Sequence, residues 1–239
     1  MIAVILAAGI SSRLRPLTNE LPKSLLPVGG FPLLQRILLS LHRNNIRECV
    51  IVTGYFKEKI ESFVQSLSLP LSVRFVENPL YATTGNNYSL WTTRPYADGH
   101  AMLMMDADIL FDSRLLSLLL DSPHENGLIV HKAGSLGEEE IKVELDDAGI
   151  VQLIGKEINP ALAGGESIGI EKFSASATPV LFRILDRRKT LNEFYEASFQ
   201  EMIDQGVEIH AVDSADFSCL EIDTFEDLET ANALAHTIP

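Results

Sequence analysis

Near the start of the chain, cations and small residues gather in a way that suits phosphate. An apolar run, residues 2–7, ends in Ala8-Gly9-Ile10-Ser11-Ser12; Arg13 and Arg15 follow at once, and Lys23 stands between turn signals in Pro22-Lys23-Ser24. After Leu6, the residues Ala7, Ala8 and Gly9 have almost no side chain, so a ligand can approach the main chain closely. Ser11 and Ser12 offer hydroxyl donors, and Arg13 can present a planar fork of donors to phosphate oxygens. Cations beyond a strand end, on a turn rich in backbone N–H groups, make a site for polyphosphate. The alternative is a buried strand followed by a solvated basic loop. Against it, the turn, Arg13 and Lys23 coincide on a chain of net charge −14.

Further along, Asp106 and Asp108 close the apolar stretch 101–105. Carboxylates at the C-terminal end of a parallel strand face the crevice where α/β sheets bind ligands. Mg²⁺ is commonly held by one or two carboxylates together with substrate phosphates. Asp-x-Asp alone reads equally well as a turn or a helix cap. Asp223, in Glu221-Ile222-Asp223-Thr224, has the same two readings, carboxylate ligand or cap of the last helix. Gly85-Asn86-Asn87 combines close backbone approach with amides able to read the edge of a base, or else forms a turn and helix cap. Lys156 follows a strand-like segment, where a lone lysine is usually just solvated.

These groups need elements to hold them. Residues 33–44, 57–67 and 113–120 carry apolar residues at helical spacing, and 49–53, 71–76 and 101–105 read as strands. Strands alternating with helices predict an α/β fold, a doubly wound parallel sheet covered on both faces. Beyond residue 125 the pattern changes to short strands at 127–131, 141–145, 150–154 and 167–173, with a hairpin loop at Asp146-Asp147-Ala148-Gly149. Helices are expected at 175–185 and 191–205, a strand at 207–212, and a last helix at 224–235 with Thr224 as N-cap. We expect one domain over 1–239, with a nucleotide-binding half (1–125) and an acceptor-binding half (126–239) sharing one sheet.

The pattern LAAG-x-x-S-R-L, then P-x-T, then P-K-x-L-x-P-V-x-G-x-P over residues 6–32 resembles the nucleotidyltransferases that join a nucleoside triphosphate to a phosphorylated sugar or alcohol. Many members have glycine where this chain has Ser11, and other branches carry serine. The whole chain is similar to the phosphocholine cytidylyltransferase-like branch, strongly to residue 111 and more loosely through Asp223. That branch includes enzymes for phosphocholine, 2-aminoethylphosphonate and inositol phosphate. The resemblance implies a Rossmann-like doubly wound mixed sheet of the nucleotide-diphospho-sugar transferase type.

By resemblance, Arg13 and the turn amides hold the leaving pyrophosphate, Lys23 bridges the α-phosphate and the acceptor, and Lys156 neutralises the acceptor phosphate. Asp108 matches the main Mg²⁺ ligand, Asp223 the second, and Asp106 a supporting residue. The stretch from Gly85 to Leu90 resembles the base loop of the branch that uses CTP; sugar-specific relatives usually read Gly-Leu-Ala there. Gly165-Glu166-Ser167-Ile168-Gly169-Ile170 resembles the branch acting on phosphorylated alcohols and phosphonates. A quaternary ammonium acceptor would want aromatic faces, with Tyr81, Tyr88, Trp91, Phe173, Tyr195 and Phe217 as candidates. An amino or hydroxyl head group would want carboxylates such as Glu140, Glu166 or Glu171.

The implied reaction is Mg²⁺-dependent transfer of CMP from CTP to a small phosphorylated alcohol or phosphonate, releasing pyrophosphate. A sugar-1-phosphate nucleotidyltransferase using dTTP, UTP or GTP is the nearest rival; Asn86-Asn87 and the short length oppose it. Intact Arg13, Lys23, Asp108 and Asp223 oppose a non-catalytic nucleotide-binding regulator. A dinucleotide oxidoreductase would need a G-x-G-x-x-G turn that the first loop lacks.

Composition bounds the rest. The 239 residues are 46% hydrophobic and 22% charged, ordinary for a globular chain. The acidic balance repels nucleic acid and anionic membrane, so neither is an expected partner. Cys49 and Cys219 are expected as buried free thiols, with no disulfide framework or zinc spacing. Met1 leads directly into the first strand, unlike a signal peptide, and a cytoplasmic protein is the default expectation. A homodimer is a further possibility, since helix 33–41 reads equally as core or as interface.

Overall fold

The structure is a computed structural model that describes residues 1–132, 136–188 and 192–238. It opens with β1 (Ile2–Ala7), three short 3-10 turns (Ser12–Leu14, Leu17–Asn19, Lys23–Leu25) and a tight hairpin, β2 (Pro27–Val28) and β3 (Phe31–Pro32). Then come α1 (Leu33–Arg43), β4 (Glu48–Thr53), α2 (Lys57–Ser66), β5 (Ser72–Glu77), α3 (Asn86–Thr92) and α4 (Arg94–Ala97). The middle comprises β6 (Met102–Asp106), β7 (Ile109–Phe111), α5 (Arg114–Asp121), β8 (Gly127–His131), β9 (Lys142–Leu145), β10 (Val151–Gly155) and β11 (Gly165–Phe173). Last are α6 (Thr178–Arg188), α7 (Glu196–Asp204), β12 (His210–Asp213), β13 (Cys219–Glu221) and α8 (Phe225–Leu234).

Among the described residues, a nine-stranded sheet runs β10-β9-β11-β6-β1-β4-β5, with β8 beside β11 and β12 beside β8. β1 pairs in parallel with β4 and β6, and β4 with β5. β11 runs antiparallel to β6, so strands from either side of residue 125 share one mixed sheet. β1 is buried throughout, and its alternation divides it between two layers. Val4 and Leu6 pack with Leu90 of α3, Leu181 and Phe182 of α6 and Phe199 of α7. Ala3, Ile5 and Ala7 pack on the other face with Leu34, Ile37, Leu38 and Leu41 of α1, Ile60 of α2 and Leu115 of α5. The apolar stripe of α1 is therefore core. Cys49 is buried, whereas Cys219 is only half-buried, short of the buried thiol expected.

A third, smaller core has a different task. Leu14, Leu26, Val28, Leu33, Leu110, Ile222 and Ala231 pack together under α8. Leu14 follows Arg13, Leu26 lies just beyond Lys23, and Ile222 separates Glu221 from Asp223. Each anchor is at most 3% exposed. Burying such side chains stabilises by roughly 1.5–3 kcal/mol apiece, which fixes the backbone that carries the charged groups.

The boundaries differ from expectation in two places that matter. The helix expected from residue 191, a position outside the described residues, begins only at Glu196. The Tyr195 N–H donates to Asn86 Oδ1 at 2.8 Å, so tertiary pairing holds the segment before the helix in another course. The base loop is largely helical, since Asn86 to Thr92 form α3 after Gly85.

Candidate active site

The C-terminal ends of β1, β6 and β13 meet at one cleft. β1 delivers Leu6, and the chain beyond it delivers Ala8, Gly9, Ser11 and Arg13. Ser11 is left-handed, with φ of 54°, the region that glycine enters without steric cost. That is the physical reason glycine suits this position, and why serine here is a tolerable but strained choice. The Thr18 hydroxyl donates to the Ser11 carbonyl at 2.9 Å and steadies the turn. Leu14 and Arg15 close it with N–H bonds to the Ser11 and Ser12 carbonyls, each 3.3 Å.

β7 and β13 form a two-stranded ribbon, with Glu221 opposite Ile109, and the Ile222 N–H donates to the Asp108 carbonyl at 3.1 Å. This ribbon brings a carboxylate from the end of the chain to one from its middle. Lys23 Nζ lies 2.8 Å from Asp108 Oδ2 and 2.7 Å from Asp223 Oδ1. Arg13 Nη2 lies 2.5 Å from Asp223 Oδ2 at the cleft mouth. Lys23 is buried, which by itself disfavours its charge, but Asp108 and Asp223 override burial and hold its pKa above the usual lysine range. Capping of α8 falls to Thr224, which forms a reciprocal capping box with Asp227. The Asp223 carboxylate is thus directed to the cations.

Carboxylate oxygens of Asp108, Glu221 and Asp223 lie within 4.8 Å of one another. Asp108 Oδ1 is buried without a hydrogen-bond partner among the described residues. Enclosure by the cleft walls, then repulsion from Asp108 and Asp223, pushes the Glu221 carboxyl upward, although its side chain is open to solvent. Hard oxygen donors with an unsatisfied member fit Mg²⁺.

Beside this corner the cleft deepens into a recess lined by Asp106, Glu139, Lys156, Phe194, Tyr195 and Glu196. Lys156 Nζ is 3.0 Å from Glu139 Oε2 and sits over the Phe194 ring, 5.3 Å from its centroid. Tyr195 OH donates to Asp106 Oδ2 at 2.5 Å. Burial, then repulsion from Asp108, drives the Asp106 carboxyl well above its usual range; the tyrosine bond opposes this. Burial, then Asp106, raises Glu171 in the same direction beneath it.

A scan against family models matches the MobA-like NTP transferase domain over residues 3–190. The chain belongs to that family. It is 26% identical over 231 residues to the choline-phosphate cytidylyltransferase of Streptococcus pneumoniae, covering 95% of each chain. It is 31% identical over 126 residues to the CMP-5'-(3-aminopropyl)phosphonate synthase of Streptomyces rubellomurinus; the match covers 53% of this chain but only 20% of that longer protein. Its fold matches that of the inositol-1-phosphate CTP transferase from T. maritima, with TM-score 0.83, 22% identity and coverage of 100% and 97% of the two chains.

Of the expected site residues, Leu6, Ala8, Gly9, Ser11, Arg13, Lys23, Gly85, Asn86, Asp108 and, beyond the matched span, Asp223 are brought to one cleft, Ala7 lines its neighbouring pocket, and Lys156 faces the adjoining recess. Ser12 is exposed outside the lining. Asn87 is fully buried, its Nδ2 3.3 Å from the Arg188 carbonyl, because its position in the first turn of α3 faces α6. Gly85 does permit a close backbone approach, but by the chain itself: a Cβ there would fall 1.8 Å from the Glu193 carbonyl oxygen. Asp106 is not part of the carboxylate cluster; Glu221 takes that place, since Asp106 is drawn toward Tyr195.

The acceptor-side expectations need the most correction. The rings of Tyr88 and Trp91 lie tilted, 5.4 Å apart on α3, and neither lines the cleft; Trp91 Nε1 donates to Asp186 Oδ1 of α6 at 2.9 Å. Glu166 lines neither part of the cleft; it is half-buried near Glu140, and burial, then Glu140, pushes it up to about 7. Phe173 is core, and Phe217 lies under the Arg114 guanidinium. Tyr81 does line the cleft. Sequence reasoning missed Glu221, which its place two residues before Asp223 at a strand end could have revealed. For Phe194 and Glu196 the sequence holds no comparable signal.

Proposed function

We propose that the protein is a Mg²⁺-dependent cytidylyltransferase that transfers CMP from CTP to a small phosphorylated alcohol or phosphonate and releases pyrophosphate. The observation that carries this reading is the convergence of buried Lys23, Arg13, Asp108 and Asp223 at the mouth of the small-residue loop. The similarity to cytidylyltransferases supports CTP as the nucleotide.

An ionised oxygen of the acceptor phosphate or phosphonate attacks the α-phosphorus of CTP. A new P–O bond forms as the bond to the β-phosphate oxygen breaks, and pyrophosphate leaves with that electron pair. The attacking oxygen carries no proton at neutral pH, so no general base is needed. The work left to the protein is bringing two anions together in line and neutralising them. Lys23 serves where the α-phosphate and acceptor meet. Arg13, exposed at the mouth, can exchange Asp223 for the departing pyrophosphate. Lys156 faces the acceptor phosphate from the recess. Gly85 and Asn86 line the cleft, and the base would lie against them. Asp108, Glu221 and Asp223 would hold Mg²⁺, which supplies charge neutralisation at the phosphates when bound.

The test is pyrophosphate release with Mg²⁺ from CTP, UTP, dTTP, ATP and GTP, each against phosphocholine, 2-aminoethylphosphonate, inositol phosphate and glucose 1-phosphate. Release with CTP and a non-sugar acceptor is expected. Release only with glucose 1-phosphate and another nucleotide would overturn the reading.

A further inference from the structure

The recess beside the phosphate corner has the wrong charge for its apparent task. Two anionic substrates meet next to it, yet Asp106, Glu139, Glu196, Glu221 and Asp223 face it against two cations, Arg13 and Lys156, and Arg13 is already paired with Asp223. Lys156 is already paired with Glu139. Glu196 is only 7% exposed, lines the recess, and its Oε2 has no hydrogen-bond partner among the described residues. Next to Asp106 and Glu196, Glu171 is fully buried with no cation beside it among the described residues. Unpartnered buried carboxyls are costly, and each calls for an explanation.

The same recess carries an aromatic face that already receives a cation. Phe194 is 55% exposed, large for an apolar ring, and Lys156 Nζ lies over it. A ligand cation held between this ring and the unpartnered Glu196 oxygen would relieve the acidic surplus and supply the missing donor.

We propose that this recess seats a primary ammonium head group on the acceptor, with Glu196 as the residue that determines specificity. This rests on the cytidylyltransferase reading and narrows it. A quaternary ammonium has no N–H to give Glu196 and is best held by several aromatic faces, of which the recess offers one well-exposed example. A polyol has donors but no charge to set against the carboxyls. Burial pushes Glu196 up to about 7, and an ammonium beside it favours the ionised form.

The experiment measures pyrophosphate release with CTP from 2-aminoethylphosphonate, its uncharged analogue ethylphosphonate, phosphocholine and inositol phosphate, in wild type and Glu196→Gln. Wild type is expected to favour 2-aminoethylphosphonate over ethylphosphonate by about ten- to a hundredfold in kcat/KM, the scale of one hydrogen bond to a charged group. Glu196→Gln is expected to collapse that preference by raising KM for the amine, with KM for CTP unmoved; Glu196→Asp restores part of it. Equal use of ethylphosphonate, or a preference for phosphocholine or inositol phosphate, overturns the inference while leaving the cytidylyltransferase reading intact. An unchanged preference in a folded Glu196→Gln protein also overturns it. Silence with CTP and every acceptor removes both. If Glu196→Gln does not fold, the wild-type preference between amine and ethylphosphonate decides.

Discussion

Lys23 is the side chain on which the site turns. It is buried, and its charge is held by Asp108 and Asp223, which solvent still reaches at 27% and 28% exposure. Removing it should cost less stability than the ~3–5 kcal/mol lost when a fully buried pair is broken. The loss in turnover should be much larger: Lys23→Ala is expected to lower kcat by roughly a hundredfold to a thousandfold, as for other preorganised charge stabilisers. Pyrophosphate release and a thermal melt on the same variant separate the two effects; near-normal turnover would remove Lys23 from the chemistry. Glu221 gives a second expectation at this scale. As a carboxylate of the Asp108–Asp223 cluster, Glu221→Gln should raise the Mg²⁺ concentration needed for half-maximal turnover by several-fold, with KM for the acceptor little changed. Titrating Mg²⁺ after EDTA treatment measures it, and an unshifted curve would exclude Glu221 from metal binding.

Short elements, not long ones, set the geometry of the cleft. The β7–β13 ribbon joins three-residue strands and depends on Ile222, which is fully buried against Leu14 and Leu110. Ile222→Ala should destabilise by about 2–5 kcal/mol. It should also cut turnover in the protein that remains folded, because Glu221 and Asp223 flank the lost anchor. A variant with full specific activity would show that the ribbon is held by other contacts. Gly85 joins the loop before α3 to the segment before α7. A methyl group there collides with the Glu193 backbone, so Gly85→Ala should cost roughly 1–3 kcal/mol or more as Glu193 is displaced. An unchanged melting temperature would mean that the two segments separate freely.

Across the whole molecule, the buried carboxyls couple stability to pH. Glu196 is raised from 4.5 to about 7, chiefly by burial, and Asp106 and Glu171 are raised as well. Around Glu196 stand Tyr195, Asp106 of β6, Glu171 of β11, and Lys156, whose charge opposes the rise. A carboxyl with a raised folded pKa binds more protons folded than unfolded between the two values, so stability falls as pH rises through that window. For Glu196 the window runs from 4.5 to about 7, and the cost above it is on the order of 3 kcal/mol. The ligand-free protein is therefore expected to melt several degrees higher at pH 5.5 than at pH 7.5. Glu196→Gln should flatten that slope, and an equal slope in that variant would assign it elsewhere.

Residues 6–32 alone carried the phosphate loop, Arg13 and Lys23, because a strand end, a small-residue turn and nearby cations are local in the chain and need no partner to be read. Helices such as α1 and α8, with its Thr224 cap, were legible for the same reason: period and capping are properties of neighbouring residues. Alternation of strands and helices likewise determined the α/β class. Tertiary structure decided what distant segments do together. Asp223 reaches Lys23 across two hundred residues only through the β7–β13 ribbon. Asn87 and Trp91 turn away from the cleft because α3 packs on α6, and Asp106 leaves the carboxylate corner for Tyr195. The recess beside the cleft is assembled from β6, residues 139 and 156, and the start of α7, and no local pattern marks any of these as neighbours. Their meeting follows from burial of the sheet faces, which a chain read residue by residue does not contain.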